Sequence, residues 1–100
     1  MREREGNGGG DPKVVALRSA VSRLRRELAA HPREFAERGI AEEELAALGA
    51  MAFGGTAEPA RLLRSLLAVA GALGSVSALA APLAALREAV RAFTETGQGR

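Results

Sequence analysis

The sequence predicts an all-α protein, a small three- or four-helix bundle preceded by a disordered Gly-rich N-terminal tail. Three observations predict it. Leu and Val recur at alternating three- and four-residue steps in separate stretches, the spacing of one face of an α-helix. Pro, Gly and capping residues fall between those stretches. No stretch alternates apolar and polar residues as a half-buried strand would, and no Asn-Gly turn separates apolar runs.

The tail is residues 1–10, MREREGNGGG. Its Gly run cannot recover the entropy of ordering, and nothing apolar anchors it. It has no apolar core of the kind a signal peptide needs. Asp11-Pro12 then starts a helix over 12–30: Asp accepts from free backbone N–H groups, and Pro at the first position sacrifices no hydrogen bond. Val14, Leu17, Val21, Leu24 and Leu28 form its seam, with Arg18, Arg23, Arg25 and Arg26 on other faces. Pro32 disfavours helix at His31 and ends the element. Residues 31–40 read as a connector, with Phe35 and Ile40 as core plugs and Gly39 as a break. A second helix is expected over 41–53, with Glu42, Glu43 and Glu44 in its first turn, where the helix dipole favours acids. Leu45, Leu48, Met51 and Ala52 supply its apolar face, and Gly54-Gly55 ends it.

Thr56 or Glu58, with Pro59, opens the next segment. Leu62, Leu66, Val69, Leu73 and Val76 step by 4, 3, 4, 3, and so do Leu79, Leu83, Leu86, Val90 and Phe93. Between the two sets the step is 3 where the alternation demands 4, beside Gly71, Gly74, Ser75 and Ser77. The segment therefore reads as helices over 59–74 and 77–94, or as one helix kinked at Pro82. Residues 11–94 make one helical domain, and 95–100 a frayed tail.

Composition limits what such a domain can do. Of 100 residues, 22 are Ala, while Leu, Ile, Val and Phe total 23, so the core is thin and built mainly of Leu. Self-association is a common remedy. There is no Cys, Trp or Tyr, which removes disulfides, thiolate metal sites and Cys nucleophiles and is compatible with a reducing cytoplasm, the expected location. Net charge is +2, but residues 12–30 carry +4 and residues 31–60 carry −4, so the first two helices can neutralise each other, within or between chains.

No residue set reads as catalytic, cofactor-binding or metal-binding, and the chain is expected not to be an enzyme. His31, the single His, sits at a helix end beside Pro32, where a solvated or dipole-compensating side chain is the simpler reading. Glu42, Glu43 and Glu44 point about 100° apart on a helix and cannot converge on one ion. Gly6 to Gly10 and Gly54-Gly55 lack the Lys-Ser/Thr and strand context of a phosphate loop. The four Arg of the first helix could reach phosphates, which makes nucleic acid an alternative partner, but no helix-turn-helix pattern follows and no Tyr or Trp is present for stacking. The other alternative is a membrane span. Ser65 to Leu86 is 22 residues without a charge, flanked by Arg61, Arg64, Arg87 and Arg91. Against it stand the Ala/Gly/Ser content, Pro82, the missing aromatic belt and a Leu/Val stripe that runs on past the uncharged stretch to Val90 and Phe93.

The stretches VALRSAVSRLRRELAAHPREF (15–35), IAEEELAALGAMA (40–52) and RLLRSLLAVAGALGSVSALA (61–80) resemble a family of short, uncharacterised actinobacterial helical proteins, over residues 12 to 93. That resemblance implies no activity and no functional residues. By size and composition the chain is also similar to small helical adaptor domains. The expected function is a non-enzymatic interaction or regulatory module whose partner is protein, in the first instance a second copy of itself. On packing grounds Leu24→Glu should unfold the domain, whereas Arg18→Ala, on another face, should be nearly silent.

Overall fold

A computed structural model describes residues 11–32, 34–54 and 58–98. The expected tail at 1–10 and Thr56 lie outside the described residues. Four helices follow one another: α1 Pro12–Ala30, α2 Arg38–Gly54, α3 Pro59–Leu73 and α4 Ala80–Gln98, with one 3₁₀ turn at Ser77–Leu79 ahead of α4. No strand occurs among the described residues.

The ends of α1 and α3 and the start of α4 have local causes. The Asp11 carboxylate accepts from the Lys13 N–H at 2.9 Å, with Pro12 as first helical residue. His31, held extended before Pro32, closes α1 by donating its N–H to the Leu28 carbonyl at 3.1 Å. Pro59 opens α3 behind Glu58, which makes no side-chain cap. α3 stops at Leu73: the Val76 N–H turns back to the Leu73 carbonyl at 2.9 Å, and the Leu79 N–H to the Val76 carbonyl at 3.0 Å. The one-residue slip in the sequence is this turn. Pro82 is the third residue of α4, where its missing N–H would have had no intrahelical partner, so one helix kinked at Pro82 is not what forms.

α1 packs on α2 and α4, and α3 packs on the same two helices, closing a four-membered ring. The α1–α2 connector and the α3–α4 turn lie at one end, where His31, Glu34 and Phe35 share a groove with Ser75, Val76 and Ser77. The stripes read in the sequence converge on the axis of the ring. Leu17, Val21, Leu24 and Leu28 meet Leu45 and Leu48, Leu62, Val69 and Leu73, and Leu79, Leu86 and Val90, each at most 1% exposed. Val76 and Phe93, at the ends of their stripes, are half-buried, as is Phe35, and all three pack against this core.

Several local expectations change. Gly39 does not break the chain. It lies in the first turn of α2, where a helical glycine costs little. α2 therefore starts three residues before the expected 41, and Glu42, Glu43 and Glu44 fall in its second turn, beyond the reach of the dipole argument. Ile40 is no core plug, being 53% exposed. The buried phase of α2 is Ala41, Leu45, Leu48 and Ala52, and Ile40 points about 100° away from Ala41. α4 runs on to Gln98, past the expected end at 94.

Candidate interaction surface

Two arginines turn out to be structural: Arg18, which the sequence places on a charged face of the first helix, and Arg38. Arg38, at the start of α2, spans the gap back to α1. Its guanidinium donates to the Leu28 carbonyl at 2.6 Å and the His31 carbonyl at 2.8 Å, and its Nε to Glu42 Oε2 at 3.2 Å. Its side chain is only 12% exposed. The last carbonyls of a helix have no intrahelical donor, and a planar fork with several N–H groups is suited to collect two of them. Arg18 does the converse. From α1 its Nε donates to the Ala52 carbonyl near the end of α2 at 2.9 Å, and its guanidinium lies 5.4 Å from the centre of the Phe53 ring. Arg18 is therefore not on a free face, which removes the ground for expecting Arg18→Ala to be silent. The two antiparallel helices cap each other's C-termini.

Of the remaining α1 cations, Arg23 pairs with Glu27 one turn along, at 3.0 Å. Arg25 lies over α2, its Nη1 3.4 Å from where a Cβ on Gly49 would stand. Arg26 is exposed and shares a groove with Arg18, Ser19, Ser22 and Phe53. Of the four arginines proposed for phosphates, one caps a neighbouring helix and one is paired.

His31 ends α1 with its ring edge-on to Phe35, centroids 6.1 Å apart. Among the described residues no three of His, Asp and Glu gather so as to hold a metal ion. The uncharged run of 65–86 is divided by the turn after Leu73 between two helices that pack on each other, and no helix of the described residues is long and apolar enough to cross a membrane. The span proposed for 65–86 is thereby overturned: Gly74 and the slip in register fold the segment back.

The groove between α3 and α4 stands out on the surface. It is lined by Leu63, Leu66, Leu67, Ala70, Arg87 and Arg91, with Thr94. Leu67 is 71% exposed and Leu63 41%. They sit one turn apart on α3, about 100° round from Leu62 and Leu66, which are buried. Leu62-Leu63 and Leu66-Leu67 are adjacent pairs, and in such a pair core and surface leucines look alike in the sequence. Thr94 needs no outside partner, since its hydroxyl donates to the Arg91 carbonyl at 3.1 Å.

A family model described as a family of unknown function (DUF5955) matches residues 6–94. No curated protein and no solved structure matches the chain.

Proposed function

The chain belongs to DUF5955, a family of unknown function, and from its surface we propose that it is a non-enzymatic helical interaction module that self-associates. One observation carries this reading: α3 is apolar on two faces, and only one of them is used within the chain. Leu67 and Leu63 stay in water beside a ring whose core is already closed. Large exposed leucines one turn apart on a rigid helix are the anchors by which helices dock on one another. The thin Leu core supports the same reading, because a second copy would remove from water apolar surface that one chain cannot cover alone.

The test is sedimentation velocity from about 1 to 100 µM, the range in which a small helical contact is expected to form. Self-association is expected as a weight-average mass that rises with concentration. A mass fixed at that of one chain throughout would overturn the proposal.

A further inference from the structure

The α3–α4 groove is apolar along its α3 wall and basic along its α4 wall. Arg87 takes part in no ion pair among the described residues, and neither does the exposed Arg64 on α3. Arg91 is tied at 3.5 Å to Glu88. α3 holds Arg61 and Arg64 and no acid. An occupant should therefore bring apolar anchors flanked by carboxylates.

The same chain presents such a face elsewhere. On α2, Ile40, Glu43 and Ala47 are spaced three and four apart and share one side of the helix, away from the buried Ala41, Leu45 and Leu48. Ile40 is 53% exposed. Glu43 is exposed and, like Glu44, engages in no ion pair among the described residues, whereas Glu42 is held by Arg38. One surface thus carries leucines with unpaired cations, and another carries an isoleucine with unpaired anions.

We propose that the α3–α4 groove receives α2 of a second copy, with Ile40 against Leu63 and Leu67 and Glu43 beside Arg87. This rests on the self-association reading and names its two surfaces. The contact is heterologous, since different patches meet, so copies join head to tail and either close into a ring or grow with concentration. One helix laid in one groove buries several hundred Å² per partner, roughly the low end for a specific interface, so the contact is weak and exchanging. Its charged rim makes it weaken as salt rises.

The test uses the full chain and two surface variants, Leu67→Glu and Glu43→Arg, with circular-dichroism melts to verify that both fold. Leu67→Glu loses the groove and keeps the α2 face; Glu43→Arg does the opposite. Each variant alone is expected to sediment as a monomer at concentrations where the unaltered chain associates. An equimolar mixture is expected to double in mass and stop at a dimer, because one intact groove still meets one intact α2 face. A mixture that stays monomeric would place both residues on a single self-complementary face and overturn the head-to-tail assignment. Association of either variant as strong as that of the unaltered chain would also overturn it, while leaving the self-association reading in place. An unaltered chain that is monomeric throughout removes both.

Discussion

Arginine 38 and arginine 18 illustrate what a single side chain contributes here. An arginine with carboxylates nearby in sequence reads as a surface ion pair, worth little. Arg38 does have such a pair with Glu42, but its larger role is to satisfy two end-of-helix carbonyls on α1 from a nearly buried position. Removing it leaves the His31 carbonyl without this donor and the Leu28 carbonyl with only the His31 N–H. We expect Arg38→Ala to cost about 2–3 kcal/mol in urea unfolding, and Arg38→Lys to recover less than half, because a single ammonium nitrogen cannot reproduce the three guanidinium nitrogens that reach the two carbonyls and Glu42 at once. Arg18→Ala should cost about 1–2 kcal/mol, from one charge-assisted bond to Ala52 and its cover over Phe53. Leu24→Glu, which places a carboxylate at a fully buried position of the core, should leave no folded population by circular dichroism. If Arg18→Ala had no effect on the unfolding midpoint, its bond to Ala52 would contribute nothing to stability.

The elements were largely legible. Seams, the Asp11-Pro12 start, the Pro32 stop and the break near 74–77 follow from chain-local rules, and α1 and α3 form within a residue of where those rules place them. The start of α2 was not legible, because Gly39 carries the local signal of a break and the residue that fixes the start, Arg38, acts through carbonyls seven and ten positions back. Two glycines of the 65–86 run show how position within an element decides the effect of one methyl group. A Cβ on Gly71, within α3, would meet nothing within 4 Å. Gly71→Ala should therefore raise stability by about 0.5–1 kcal/mol through helix propensity and a less flexible unfolded chain. A Cβ on Gly74, one residue past α3, would come within 2.7 Å of the Ala70 carbonyl oxygen. Gly74→Ala should lower stability by about 1–2 kcal/mol, since backbone and not a flexible side chain must give way. Thermal melts of the two variants should shift in opposite directions.

At the scale of the molecule, the ring of four helices buries one stripe from each and leaves the outer stripe of α3 in water. If that stripe is covered by a second copy, native chains are stabilised by mass action and unfolded ones are not. The melting temperature should then rise with protein concentration, and Leu67→Glu should flatten the dependence without lowering the melting temperature of the dilute protein, because Leu67 lies outside the core. What the sequence determined by itself was the helical class, the stripes that make the core and the places where the chain turns. These depend on spacing, Pro, Gly and caps, which act within a turn or two of their own position. Tertiary structure alone decided which leucines of α3 face inward, that Ile40 faces outward, and that Arg18 and Arg38 cap each other's helices. Those outcomes depend on the phase and distance between α1, α2, α3 and α4, and phase between separate helices is set by packing.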